Sequence, residues 1–187
     1  MDPLADDRVS PYKQSLVASS TDVRDEIYNF INKNPGIRYR ELLRLVGLSN
    51  GVLTYHLGTL EKFGQIKVQR QSNKKVTRYF VANISKQDSH IIGCFRSSVT
   101  RNIIIFILKN DYCTFNEIVE YVERAPSTIS WHIKRLRDIG ILRVVYGNNR
   151  LLYSITDKAK VDNVLLRYRE TFTDRIIDDY AEMFGKL

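Results

Sequence analysis

Two stretches of this chain, LTYHLGTLEKFG at residues 53–64 and ISWHIKRLRDIG at residues 129–140, run apolar, hydroxyl, aromatic, histidine, apolar, and close on a glycine. Aligning His56 with His132 sets an offset of 76, which holds without a gap from Val23/Val99 to Val68/Val144. Of those 46 positions 12 are identical, among them Ile27/Ile103, Phe30/Phe106, Glu41/Glu117, Leu60/Leu136 and Gly64/Gly140. Register kept over a whole structural unit marks a tandem duplication. The later matching tyrosines, Tyr79 and Tyr153, are only 74 apart, so the copies differ in length past Val68, where a loop is expected.

Each copy reads in the same order. An amphipathic helix comes first, over residues 21–33 and 98–109, with a hydroxyl at its start (Thr21, Ser98) suited to capping free backbone N–H groups. Asn34-Pro35-Gly36 stops the first of these, because proline and glycine both oppose continuation. A short helix follows, near 39–46 and 115–122, then a tight turn (GLSN, ERAPS) in which Ser49 suits a cap and Pro126 a first helical turn, and then the quoted segment. Beyond it the pattern changes to strands rich in β-branched and aromatic residues, 66–70 with 77–81 and 142–146 with 151–155, around polar tips.

Three helices followed by a β-hairpin, twice over, predict a mainly α chain with small β-hairpin wings (α+β), that is, two tandem winged helix-turn-helix domains plus a C-terminal helix. The expected division is an N-terminal tail over 1–19, partly disordered; a first domain over 20–84; a linker helix over 85–96; a second domain over 97–156; and a C-terminal amphipathic helix over 157–187. Apolar residues at 161, 164, 165, 168, 172, 176, 177, 180, 183 and 184 keep helical spacing through that tail. It reads as one long helix or as two broken near residues 171–174. Its apolar face needs cover, either from its own winged domain or from a second copy in a homodimer.

Composition narrows the function classes. The formal charge of +8 suits a polyanionic partner without choosing among them. The longest apolar run, residues 103–108, is far below the roughly 20 residues of a membrane span, and the acidic start MDPLADD does not resemble a signal peptide. A cytoplasmic protein with no membrane partner is expected. Two cysteines, Cys94 and Cys113, without CxxC spacing write neither a disulfide framework nor a zinc ribbon.

Helical projection decides which parts of the quoted segments are exposed. At 100° per residue Leu53, His56, Leu57, Leu60 and Phe63 fall on one stripe, as do Ile129, His132, Ile133, Leu136 and Ile139. The histidines therefore face inward, each expected as a packed side chain with one ring nitrogen bonded to neighbouring backbone. The opposite face carries Gly51, Thr54, Tyr55, Gly58 and Lys62 in one copy and Ser127, Ser130, Trp131, Lys134 and Asp138 in the other, with Arg135 at its edge. An ordinary solvated surface explains the lysines, but not a large aromatic at the matched exposed position of both helices.

A major groove admits one helix and is read by short hydroxyl or amide groups, an aromatic or apolar group for a thymine methyl, and cations for phosphate. The residues expected at a DNA interface are therefore Asn50, Gly51, Thr54, Tyr55 and Lys62 in the first copy and Ser127, Thr128, Ser130, Trp131, Lys134 and Arg135 in the second. The wings add Lys74, Lys75 and Arg78, and Asn148, Asn149 and Arg150. The copies are unequal. Gly51 and Gly58 leave a bare patch beside Tyr55, whereas Ser127, Lys134 and Arg135 surround Trp131, so the two helices are expected to read different half-sites.

At these residues the chain resembles the winged helix-turn-helix regulators of the ArsR and MarR type, whose recognition helix commonly reads hydroxyl, aromatic or basic residue, His-Leu, a leucine three residues on, and a closing glycine. TYHLGTLEKFG and SWHIKRLRDIG both fit, and the resemblance covers about residues 20–156. Two such domains joined by HIIGCFRSSVTRNIIIFIL are similar to archaeal tandem winged-helix transcription regulators, including the euryarchaeal archaellum regulator family. The resemblance implies sequence-specific binding of double-stranded DNA at promoters, with the basal transcription machinery as a further partner. It does not imply metal sensing: ArsR-type sensors cluster Cys and His ligands, and here His90-x3-Cys94 and an isolated Cys113 fall short of a closed site.

No cofactor or metal is expected, and no enzyme, for the sequence holds no glycine-rich phosphate loop, nucleophile elbow or carboxylate cluster with metal spacing. The leading reading is a DNA-binding transcription regulator. The alternative is a winged-helix protein-interaction scaffold or transcription-machinery subunit that reads no DNA sequence.

Overall fold

The computed structural model describes residues 11–70, 77–147 and 149–172, the backbone alone over 11–21. The chain divides into two compact units, Met1–Asn83 and Ile84–Leu187.

The first unit runs α1 (Pro11–Lys33), β1 (Ile37–Arg38), α2 (Tyr39–Val46), α3 (Asn50–Lys62), β2 (Ile66–Arg70) and β3 (Thr77–Val81). Helix α1 begins well before Thr21, which is therefore an interior residue and not the cap expected of it. It stops where Asn34 turns its backbone N–H and its Nδ2 onto the Phe30 carbonyl, at 3.0 and 3.1 Å, and Gly36 takes a positive φ of 77°. Glu41 accepts from the Arg38 N–H at the start of α2, and Ser49 accepts from the Val52 N–H at the start of α3. Helix α3 ends in a left-handed turn: Gly64 has φ 67°, and the Gln65 N–H reaches back to the Leu60 carbonyl at 3.0 Å. Ile27 and Ile31 of α1, Leu42 of α2, Leu53, Leu57 and Leu60 of α3 and Phe80 of β3 make the core.

The sheet of this unit has three antiparallel strands in the order β1-β3-β2. The short β1, which the sequence pattern does not announce, pairs Ile37 with Tyr79 and Arg38 with Arg78.

The second unit runs α4 (Lys86–Phe95), α5 (Ser98–Asn110), α6 (Phe115–Val122), α7 (Pro126–Asp138), β4 (Leu142–Gly147), β5 (Arg150–Ile155) and α8 (Lys158–Arg167). Ser98 is the first helical residue of α5, so the cap position belongs to Ser97, whose side chain makes no capping bond to the helix. Thr114 and Glu117 form a reciprocal cap on α6, with the Thr114 N–H 2.7 Å from the Glu117 carboxylate. Pro126 opens α7, and Gly140, at φ 75°, closes it as Gly64 closes α3. Strands β4 and β5 pair from Leu142↔Ile155 to Gly147↔Arg150, leaving a two-residue loop in which Asn149 takes a positive φ of 57°. The place of β1 is held by one bridge, Cys113 to Tyr153, and Cys113 is the duplicate of Ile37.

Helix α4 is more than a connector. It packs on α5 and α8, with Phe95 against Phe172 at 5.6 Å between ring centroids and Asp88 2.9 Å from the Lys160 ammonium. Val161, Val164 and Leu165 of α8 are buried, so the apolar face of the tail is covered within its own unit as far as it is described. Helix α8 does not continue as one long helix: it ends at Arg167 and passes into a 3-10 turn, Arg169–Thr171. The rest of the expected tail helix, residues 173–187, and the start of the N-terminal tail, 1–10, lie outside the described residues. No single helix among the described residues is long and apolar enough to cross a membrane.

Candidate nucleic-acid interface

Helices α3 and α7 present matched faces to solvent because their opposite stripes fill the two cores. Tyr55 is 69% exposed and Trp131 43%, with Gly51, Gly58 and Lys62 exposed around the first and Ser127, Ser130 and Lys134 around the second. The inward stripe departs from projection at one residue: Phe63 is 68% exposed, because it is the residue that caps α3 and its backbone has already left the helix.

The two histidines sit on the core side with different surroundings. His56 is 6% exposed, and its Nδ1 has no hydrogen-bond partner among the described residues. Burial, and after it the nearby Arg24 cation, holds its pKa below the ordinary 6.5, so the ring is neutral at pH 7. His132 is half-buried, and its Nδ1 lies 2.8 Å from the Thr100 hydroxyl. The partner at Nδ1 of His132 is thus a side-chain hydroxyl.

The polar groups at the helix starts differ more than their residue types suggest. In the first unit the Tyr39 hydroxyl donates to Asn50 Oδ1 and also lies 3.0 Å from the Asn50 carbonyl and 3.0 Å from Thr54 Oγ1. Thr54 in turn donates to the Asn50 carbonyl at 2.8 Å. Two of the expected interface residues are therefore tied into a local network whose third member, Tyr39, the sequence reading missed. The offset of 76 puts Phe115, Pro126 and Ser130 at those three positions, and no such network can form there. The side chains of Ser127, Ser130 and Lys134 carry no hydrogen bond or ion pair among the described residues. Arg135 instead lies over the Trp131 ring, 5.8 Å from its centroid, which holds a cation beside the exposed aromatic.

The wings need one correction. Arg78 is not a surface cation: it is 6% exposed, and its Nη1 donates to the Gly36 carbonyl at 2.7 Å, securing the turn that ends α1. Asn149 and Arg150 are exposed at the tip of the second wing, whereas Lys74, Lys75 and Asn148 lie outside the described residues. The first wing is held to its helix by Arg70, whose guanidinium meets both Glu61 carboxylate oxygens at 3.0 Å. On the second wing Tyr146 and Leu151 face each other across the strands, both exposed, an apolar pair the charge pattern gives no hint of.

No group of three or more His, Cys, Asp or Glu side chains converges among the described residues. Cys94 and Cys113 are both buried, and burial, then Glu117 and Asp111, pushes the Cys113 thiol up to about 11.

Residues 21–92 match a family model described as an N-terminal HTH domain, and residues 98–144 match the bacterial regulatory protein, arsR family, model. The second of these families is a regulatory one by its description. Over 136 residues the chain is 29% identical to a protein of Methanocaldococcus jannaschii described as an uncharacterized HTH-type transcriptional regulator, an alignment covering 73% of this chain and 34% of the relative. The chain thus spans about a third of the length of the curated relative it matches. Among solved structures it is similar to Lactococcus lactis ZitR, described as a zinc-responsive MarR family member, at 16% identity and a TM-score of 0.31, over 73% of this chain and 84% of that one. Wild-type ZitR in complex with DNA gives 17% identity and the same TM-score over 75% and 86%. One helix-turn-helix match on each half of a duplicated chain, each half folded as three helices and a hairpin, makes this a tandem winged helix-turn-helix protein.

Proposed function

We propose that the chain is a sequence-specific double-stranded-DNA-binding transcription regulator that reads base edges with α3 and α7 and neutralises phosphates with its wings and helix starts. The observation that carries this reading is the pair of aromatics, Tyr55 and Trp131, exposed at one register position of two duplicated helices, each ringed by small or polar groups and a cation. A core needs neither ring there, and water gains nothing from them. A groove uses both, for thymine methyls and sugar edges, while Lys62, Lys134, Arg135 and Arg150 lie within reach of phosphates. Lys74 and Lys75 extend the basic character of the first wing's sequence. A regulator of this kind works in the cytoplasm, where the DNA is.

The test replaces Tyr55 and Trp131 separately by alanine and measures binding across a panel of duplex variants. Losses confined to different base positions support two recognition helices that read different half-sites, and identical losses at identical positions sink that reading. Steep loss of affinity between low and moderate salt, as for a protein making several phosphate contacts, accompanies it.

A second reading, a protein-interaction module, draws on the exposed Tyr146–Leu151 pair of the second wing, an apolar surface that phosphate contact does not call for. Binding that ignores salt but falls when Tyr146 is replaced by serine favours that module over the DNA reader.

A further inference from the structure

The two proposed reading helices differ in how free their first polar groups are, and in the first unit that difference has a chemical direction. Asn50 occupies the first residue of α3 and is exposed, so its amide stands at the end of the helix that would enter a groove first. An asparagine amide is ambidextrous, with an acceptor oxygen and a donor nitrogen, and in the usual bidentate contact with adenine it uses both, accepting from N6 and donating to N7. Here the oxygen is already engaged: the Tyr39 hydroxyl donates to Oδ1. Thr54, beside it, donates to the Asn50 carbonyl. The amide nitrogen has no partner among the described residues. With Oδ1 turned to Tyr39, Asn50 offers a partner the two donors of its amide nitrogen.

We propose that Tyr39 is a specificity-positioning residue: by fixing the Asn50 amide with Oδ1 inward, it makes the first domain select guanine over adenine at the base pair Asn50 meets. Two N–H groups on one nitrogen can serve O6 and N7 of guanine, both acceptors, while the adenine N6 amino group meets another donor. The second domain has no equivalent device, since Phe115 lacks the hydroxyl and Pro126 lacks the amide. Identical half-sites are therefore excluded for the two domains at this position. The inference rests on the DNA reading proposed above.

The experiment selects bound duplexes from a random pool with the full chain, then measures affinities for guanine and adenine variants of the selected site with the wild-type chain, Tyr39→Phe and Asn50→Asp. Phenylalanine is the residue the duplicated domain carries at that place, and the lost hydroxyl is at the surface, so the fold tolerates it; a thermal melt confirms this. The expected result is guanine favoured at one position by about tenfold or more, the scale of one good bidentate contact. Tyr39→Phe frees the amide to turn over and brings that ratio to near parity, with positions sensitive to Trp131→Ala unchanged and the salt dependence on non-cognate DNA the same. Asn50→Asp removes the donors and abolishes the guanine preference outright.

A site in which guanine preference survives Tyr39→Phe, or in which adenine is preferred, overturns the inference while leaving the DNA reading intact. A uniform loss of affinity for every duplex also overturns it, in favour of a purely structural hydroxyl. Selection that yields no base preference at all overturns the DNA reading, and this inference with it.

Discussion

The Thr100 hydroxyl lies 2.8 Å from Nδ1 of His132, and the residue that duplicates Thr100 in the first copy is Arg24, which sits beside His56 and lowers its pKa. One substitution across the repeat thus turns a hydrogen-bonded histidine into one surrounded by burial and a like charge. Because His56 binds its proton less readily folded than unfolded, the unfolded first domain carries more protons as pH falls below 6.5. Stability is fully present above that value and is lost as pH falls through it toward the lower folded value. Hydrogen exchange in α3, followed from pH 7.5 down to 5, is expected to accelerate beyond its intrinsic pH trend, and His56→Leu to flatten that excess. In the second domain Thr100→Val is expected to cost about 2 kcal/mol, the net worth of the hydroxyl's two hydrogen bonds, to His132 and to Ser97, read by the fluorescence of the chain's single tryptophan, Trp131.

Arg78 and Arg150 look alike in the sequence and should behave oppositely. Arg78→Ala removes a buried charged donor from the Gly36 carbonyl and should lower unfolding stability by about 2 kcal/mol, leaving the salt dependence of DNA binding in place. Arg150→Ala should leave the melting temperature alone and reduce the slope of log affinity against log salt by about 1. Melts and salt titrations on both variants decide it.

The glycines of the two quoted segments fall into two kinds. Gly64 and Gly140 have positive φ and open space where a Cβ would stand, so alanine there costs backbone strain alone, about 1 kcal/mol each. Gly58 has an ordinary helical backbone and equally open space, so Gly58→Ala should raise stability by about 1 kcal/mol. If α3 approaches its partner closely through that bare patch, the same variant, though more stable, binds DNA more weakly. A melt paired with a binding isotherm separates the two effects.

Thiol chemistry offers a separate check on packing. With Cys94 and Cys113 both buried, and the Cys113 thiol raised to about 11, neither should react with a thiol reagent at pH 8 in the folded protein, and both should react in denaturant. A thiol that titrates at once in the native chain contradicts the core described for its unit.

The duplicated scaffold was legible in the sequence because it is written in period and punctuation. The apolar stripes of α3 and α7, the short helices Tyr39–Val46 and Phe115–Val122, the first-turn proline and the closing glycines each follow from local chemistry. What escaped depends on contacts distant in sequence. A two-residue strand such as β1 has no periodicity of its own and exists because Tyr79 comes back to meet Ile37. Arg78 reads as a wing cation until the sheet order puts β1 beside β3 and covers it. Tyr39 carried no signal as an interface residue, since its role appears only when α2 and α3 cross and bring its hydroxyl to Asn50, eleven residues on. Tyr55 and Trp131 were found because exposure of one helix face can be read from spacing.

The stitch between the segment leading into the short helix and the returning wing strand, Ile37 to Tyr79 in one domain and Cys113 to Tyr153 in the other, ties the base of each wing to the helix it follows, like the hinge of a jaw. In the first domain the Glu61–Arg70 pair braces the same jaw from the other side. For a duplex partner the accommodation then falls on the DNA. Steps whose groove already has the right width are gripped with little distortion, and stiffer or wider ones must be bent to fit. On the proposed DNA-binding reading, such a protein discriminates among base pairs that none of its side chains touches.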